Sequence, residues 1–240
     1  MKPVAIFQHT VVGHPGAVLT VLDELSIPWV VVPIMDGVAV PEGFTKYSGL
    51  IFMGGGMGVN DGLPWVADEI RLARRARDAG LPMAGHCLGG QILAGAFGAD
   101  VARNPQMEIG WQPIEFDRVR LATEWLGGKP PEAGVFQWHG DTFSLPDGAI
   151  RVATNPFCAN QAFVMDDRHI GMQFHLEMTP ALIRSFLEAN GDTLDREVAA
   201  GNPAVNTRNQ LLADLEARTA GMLDMLRVVY GRWAQGLLVD

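Results

Sequence analysis

The chain has 240 residues, with 27 acidic against 18 basic side chains, 48% hydrophobic residues and 28 glycines. This is an ordinary globular composition and not a disordered, collagenous or membrane-embedded one. A formal charge of −9 argues against a nucleic-acid or anionic-membrane surface, because phosphates need a density of cations that is missing here.

The basic residues cluster only in the run from Arg71 to Arg77, where they alternate with apolar side chains and sit beside Asp68, Glu69 and Asp78. That is the pattern of a solvated helix face. The start of the chain turns polar too soon for a signal peptide, and no stretch approaches the ~20 apolar residues of a membrane span, so a cytoplasmic location is expected. Two cysteines, Cys87 and Cys158, make neither a disulfide framework nor a cysteine-rich zinc pattern. Any cysteine chemistry is then that of a reduced thiol.

Val4–Gln8 reads as a first strand, and the spacing of Ala17, Leu19, Val21, Leu22 and Leu25 after Pro15 as a helix. Trp29–Ile34 reads as a second strand, apolar on both faces and therefore buried. Gly49–Met53 is a third strand and runs straight into Gly54-Gly55-Gly56. A helix from about Trp65 to Ala79 ends at Gly80. Leu81–His86 is predicted as a strand that meets the apolar helix around Ile92–Phe97 with only Cys87-Leu88-Gly89-Gly90-Gln91 between them, the texture of a nucleophile elbow. From Gly110 to His175 the sequence is β-rich, with Asp166-Asp167-Arg168 as a hairpin turn between Gln161–Met165 and His169–Phe174. Beyond Pro180 it is helical: Ala181–Ala189, an interruption at Gly201-Asn202-Pro203, then an amphipathic stretch from Thr207 to about Trp233. The alternation implies an α/β three-layer sandwich around a mixed, mainly parallel sheet, followed by a helical C-terminal extension.

Cys87 is the sharpest chemical feature, because a cysteine at a helix start meets the positive end of the macrodipole and unpaired backbone N–H groups. His175 and Glu177 are two apart, so on a strand both side chains face the same way and the carboxylate can fix the imidazole tautomer. That is the logic of a nucleophile, a base and a third group that orients the base. Backbone donors for a tetrahedral oxyanion are available at Leu88 and in the glycine loop. No Lys-Ser/Thr follows those glycines, so a nucleotide loop is a poor reading. His9 and His14 read as polar loop residues with pocket lining as the alternative, and His86 as structural, its side chain pointing away from the elbow. Cys158 reads as a packed thiol and His169 as hairpin surface. Trp111, Trp125 and Trp138 read as core or rim, with substrate stacking as the alternative. The histidines do not fall at metal-ligand spacings, so neither metal nor cofactor is expected.

Gly85-His86-Cys87-Leu88-Gly89-Gly90-Gln91 resembles the G-x-C-x-G-x-Q elbow of class I glutamine amidotransferases, and Gln173-Phe174-His175-Leu176-Glu177 resembles their Q-F-H-P-E motif. The glycine loop and Trp138-His139-Gly140-Asp141 lie in the expected order. The resemblance runs from about residue 1 to about 190 and is strongest to free-standing, GMP-synthase-like domains. It implies a flavodoxin-like amidotransferase domain over 1–190, with 191–240 a helical extension packed on the same domain.

The resemblance further implies a Cys87 nucleophile, a His175 base, a Glu177 orienting carboxylate, oxyanion donors at Gly56 and Leu88, and substrate contacts from Gly55, Gln91, Trp138 and His139. The expected reaction releases ammonia from glutamine through a glutamyl thioester. With no acceptor domain following in this sequence, the ammonia would pass to a separate synthetase protein. Two alternatives stay open: an independent hydrolase of γ-glutamyl peptides, amines or conjugates, and a non-catalytic binding or regulatory module. Leu176 stands where many family members have proline, a change that leaves the side chains of His175 and Glu177 untouched.

Overall fold

The computed structural model of the protein describes residues 1–237. Its first half alternates strands and helices: β1 (Val4–Gln8), α1 (Ala17–Glu24), β2 (Trp29–Pro33), β3 (Gly49–Phe52), α2 (Pro64–Asp78), β4 (Met83–His86) and α3 (Leu88–Ala96). The second half holds β5 (Val101–Gln112), β6 (Glu115–Phe116), α4 (Arg120–Leu126), β7 (Val135–Phe143), β8 (Ile150–Thr154), β9 (Ala162–Met165), β10 (His169–Met172), α5 (Pro180–Ala199), α6 (Arg208–Leu212) and α7 (Leu215–Ala234).

One eight-stranded sheet has the order β2-β1-β3-β4-β10-β9-β8-β6, and β5 and β7 form a separate two-stranded ladder. Pairing is parallel from β2 through β10 and antiparallel from β10 to β6. Successive side chains of β1 show how the three layers arise. Val4 and Ile6 point into a core shared with α1, α4, α5 and α7, whereas Ala5 and Phe7 point into one shared with α2 and α3. The expected α/β sandwich around a mixed, mainly parallel sheet is therefore observed. Among the described residues no helix is long and apolar enough to cross a membrane.

The hairpin between β9 and β10 turns at Asp166 and Asp167, with φ of 56° and 47°. Positive φ at both central residues matches the right-handed twist of the flanking strands. The helical tail is anchored by polar contacts as well as apolar ones. Trp111 Nε1 donates to the Leu211 carbonyl at 3.0 Å, and the Thr207 and Gln210 side chains form a reciprocal cap on α6.

Several expectations need correction. β2 is the edge strand of the sheet, and Trp29 and Val30 are 36% and 40% exposed, not buried on both faces. A run of β-branched residues marks a strand but does not say whether a neighbour covers it. Helix α4 interrupts the segment read as β-rich, and β5 begins earlier, at Val101. His169 is buried instead of lying on the hairpin surface, and burial pushes its imidazole down to about 4. The single amphipathic stretch from Thr207 is two helices, separated at Ala213 and at Asp214, which is left-handed with φ 52°. Helix α5 runs ten residues past Ala189, with non-helical backbone at Asn190.

Candidate active site

Strand β4 ends at His86 in the middle of the sheet, and Cys87 turns the chain into α3 with φ 50° and ψ −108°. A non-glycine residue in that region is strained, so its surroundings must hold it there. The Cys87 N–H donates to the Met172 carbonyl at 2.8 Å, and the glycines beside it admit the necessary close approaches. A Cβ on Gly85 would overlap the backbone of Gly89, one on Gly89 the carbonyl of Phe52, and one on Gly90 the carbonyl of Met172. The elbow read from the sequence is thus a consequence of α3 being pressed onto β3, β4 and β10.

His175 lies three residues beyond the end of β10. It is tied to β7 by its own N–H, which donates to the Phe136 carbonyl at 2.9 Å. His175 and Glu177 are therefore not on a regular strand as expected, yet they meet: Nδ1 lies 2.6 Å from Glu177 Oε1. The other imidazole nitrogen, Nε2, is buried with no hydrogen-bond partner among the described residues. Burial disfavours charge on His175, but Glu177 and the Cys87 sulfur outweigh it and hold the imidazole up to about 10. Burial likewise opposes charge on Glu177, and the pull of His175 and His86 keeps its carboxyl well below the usual range. The second oxygen, Oε2, lies 2.9 Å from His86 Nδ1, and His86 Nε2 lies 2.9 Å from the Tyr230 hydroxyl.

Cys87 and His175 line one pocket of ≈ 370 Å³ together with Gly54, Gly55, Gly56, Gln91, Trp138 and His139. Of the residues singled out as site candidates, only Leu88 and Glu177 do not line this cavity, and both are buried next to it. The pocket sits at the carboxyl ends of β3 and β4, where open α/β sheets bind ligands. The glycine loop packs closely here: a Cβ on Gly54 would sit 2.9 Å from His175 Cε1, whereas one on Gly56 would meet nothing within 4 Å. The Cys87 thiol lies 3.8 Å from the Trp138 carbonyl and 3.7 Å from the Gln173 amide, whose oxygen accepts from Gln91 at 3.2 Å.

His139 is committed internally. Its Nδ1 lies 2.9 Å from the Asp141 carbonyl and its Nε2 2.9 Å from Glu108 Oε2. Glu108, His139 and Cys158 offer atoms within 4.8 Å of one another, but Glu108 also accepts from Asn155 and Gln161, so the carboxylate is already satisfied by three side chains. Cys158 is a packed thiol, as read, with Sγ 3.2 Å from the Thr142 hydroxyl. Of the three tryptophans considered, only Trp138 reaches the pocket; Trp111 and Trp125 are core residues. His14 is an exposed loop residue whose Nδ1 accepts from the Gly16 N–H. His9 is buried behind the glycine loop and does not line the pocket.

The glutamine amidotransferase class-I family matches residues 17–191 of this chain. The chain belongs to that family. A crystal structure of a glutamine amido transferase from Methylobacillus flagellatus superposes with a TM-score of 0.96 at 38% identity, covering 100% of this chain and 97% of that one. Among curated relatives, the glutamine amidotransferase-like protein YfeJ of Salmonella typhimurium is 28% identical over 160 residues, 65% of this chain and 67% of the relative. A glutamine-hydrolysing GMP synthase subunit from Methanoculleus marisnigri is 32% identical over 123 residues, 50% of this chain and 65% of the relative. The match thus spans just under two thirds of that relative's length.

Sequence reasoning missed the wall that α5 contributes to this pocket. Phe186, Asn190 and Thr193 line it, and the Phe186 ring tilts onto Trp138 with centroids 4.9 Å apart. Arg103 also lines the pocket and lies 3.4 Å from Asp141. Nothing in their spacing marks these residues, because a helix beyond the last motif is placed only by the fold. His86 does point away from the pocket, as read, but its contact with Glu177 had no local signature.

Proposed function

We propose that this protein hydrolyses the side-chain amide of glutamine with Cys87 as nucleophile, His175 as acid and base, and Glu177 as the carboxylate that orients it. The observation that carries this reading is His175 itself. Nδ1 is pinned to Glu177 at 2.6 Å, which leaves Nε2 without a hydrogen-bond partner among the described residues, and His175 lines the same pocket as Cys87. A nucleophile, a base and an orienting group in this relation are the parts of a thiol acyl-transfer site.

In the proposed cycle the Cys87 thiolate adds to the amide carbon, and the negative charge that forms on oxygen is met by backbone N–H groups at Leu88 and Gly56. The His175 imidazolium gives its proton to the departing nitrogen, which leaves as ammonia, and a glutamyl thioester remains. Water then adds to the thioester while His175 takes its proton. Expulsion of the Cys87 thiolate releases glutamate. Gly55, Gln91 and Trp138 hold the amino-acid end; because both His139 nitrogens are occupied, that residue serves through its backbone and by fixing the wall of the pocket.

We further propose that ammonia passes to a separate synthetase protein, as the likeness to the GMP synthase relative suggests. Residues 1–190 act as the amidotransferase domain, 191–240 are an extension of it, and the location is cytoplasmic, where the thiol stays reduced. A second reading, hydrolysis of γ-glutamyl conjugates, is favoured by one feature: the ≈ 370 Å³ pocket is lined by Arg103, Asn190 and Thr193 as well as by the reacting groups.

Incubation with a glutamine-like diazoketone, followed by peptide mass spectrometry with Cys87→Ala as control, tests the site. An adduct confined to Cys87 supports the reading. No adduct on the folded, reduced protein, alone or with candidate synthetase partners, together with no turnover of γ-glutamyl amides, overturns it in favour of a binding module.

A further inference from the structure

Glu177 has two oxygens, and the reaction proposed above uses only one. The other, Oε2, is buried 2.9 Å from His86 Nδ1, and neither atom has a hydrogen-bond partner among the described residues. His86 in turn reaches the hydroxyl of Tyr230 at 2.9 Å, its ring lying nearly parallel to the tyrosine with an interplanar angle of 13°. His86 and Tyr230 are both wholly buried, and Tyr230 belongs to α7, outside the stretch matched by the amidotransferase family. A polar chain of this kind in an apolar core is costly unless each member is satisfied.

We propose that His86 and Tyr230 are positioning residues for the Glu177 carboxylate, so that the triad is the outer part of a five-residue chain, Tyr230–His86–Glu177–His175–Cys87, rooted in the C-terminal helix. The tautomers follow from the donors. A phenol hydroxyl donates to a bare imidazole nitrogen, so Tyr230 occupies His86 Nε2 and leaves the His86 proton on Nδ1, opposite Glu177 Oε2. Burial, reinforced by the Glu177 charge, pushes the Tyr230 hydroxyl well above its ordinary range and keeps it a donor. With Oε2 held, Oε1 stays aimed at His175 Nδ1 and the imidazolium opposite Cys87 is stabilised. The C-terminal helix thereby becomes part of the catalytic apparatus and not merely a cover for the sheet. Among the described residues, the ionisable groups acting on His175 and Glu177 are members of this chain; from α5 the Phe186 ring lies 6.4 Å from that of His175.

The inference rests on the proposed thiol site but is tested without glutamine, so it can fail or stand independently of the substrate. The rate of Cys87 alkylation by iodoacetamide would be followed against pH by peptide mass spectrometry in the wild type, Glu177→Gln, His86→Leu, His86→Asn and Tyr230→Phe. Loss of the donor should release Oε2, weaken the imidazolium and move the acid limb of the profile to higher pH. We expect the largest shift, about half a unit or more, in Glu177→Gln, which removes the charge itself, and smaller shifts the same way in His86→Leu and Tyr230→Phe. His86→Asn, whose amide can donate from the Nδ1 position, should restore the wild-type profile. A role in packing alone would lower thermal stability without moving the profile. A folded His86→Leu with an unshifted limb, or a His86→Asn no better than His86→Leu, overturns the proposal. If His86→Leu does not fold, an unshifted Tyr230→Phe, which lacks a single oxygen, overturns it instead.

Discussion

His9 Nε2 and Glu69 Oε1 lie 3.0 Å apart with both side chains fully buried, directly behind the glycine loop of the candidate site. His9 Nδ1 donates to the carbonyl of Met53, the residue before Gly54, at 3.0 Å, and the indole of Trp65 stacks on the imidazole at 4.9 Å. The pair therefore fixes the point at which β3 becomes the loop. Burial pushes the Glu69 carboxyl upward against the opposing pull of His9. Glu69→Gln keeps a hydrogen-bonding amide against His9 and should change stability by less than about 1 kcal/mol, whereas Glu69→Ala strands a buried imidazole nitrogen and should cost about 2–3 kcal/mol. Urea unfolding measures both, and ammonia release from glutamine should fall with Glu69→Ala and survive Glu69→Gln.

The glycine loop is unequal along its length. Gly54→Ala would drive a methyl group to 2.9 Å from His175 Cε1, so it should displace the imidazole and lower kcat at least about 100-fold. Gly56→Ala meets no atom within 4 Å and should leave the fold intact, changing kcat far less. Comparable losses in the two variants, each verified as folded by circular dichroism, would contradict this ordering.

The two thiols should react very differently. Burial pushes Cys158 up to about 11, and the Glu108 charge adds to the effect. At pH 8 the native protein should take up one equivalent of iodoacetamide on Cys87 and none on Cys158, with the second site opening only in denaturant. Tryptic mapping before and after urea treatment reads this directly.

The His175–Glu177 pair also makes stability depend on pH, with a sign that can be worked out. His175 is raised from 6.5 to about 10, so its contribution is fully present below pH 6.5 and is lost as pH rises through 10. Glu177 is lowered, so its contribution is present above about pH 4.5 and is lost as pH falls toward the folded value. Wild-type stability should therefore decline between pH 6.5 and 10. Glu177→Gln should flatten that decline by on the order of 1–3 kcal/mol, measured by denaturant titration at pH 6 and pH 9.5. A slope unchanged by the substitution would mean that the pair does not share the charge as the geometry indicates.

Much of the scaffold was legible because local sequence encodes it. β1 falls on Val4–Gln8 as read, α1 to α3 follow their apolar spacing, and the Asp166-Asp167 hairpin follows from turn chemistry. The elbow at Cys87 was also visible, since a strand that meets a helix with glycines on either side has few ways to turn. Other features depend on a partner far away in the chain. Whether β2 is covered depends on the strand order of the whole sheet, and α4 is short enough for β-propensity around it to mask its helical period. The burial of His169 likewise comes from packing against Phe97 at the end of α3.

By itself, the sequence determined the layer architecture and marked Cys87, His175 and Glu177 as the candidate residues. Both are written in periodicities of two and 3.6 residues and in motifs spanning only a few positions. Only the tertiary structure decided that Glu177 has His86 behind it, that His86 is held by Tyr230 from α7, 144 residues along the chain, and that α5 walls the pocket. Contacts of this kind form when separate helices and strands bury their apolar faces against a common sheet. Their geometry is a property of that packing and leaves no local trace in the order of the residues.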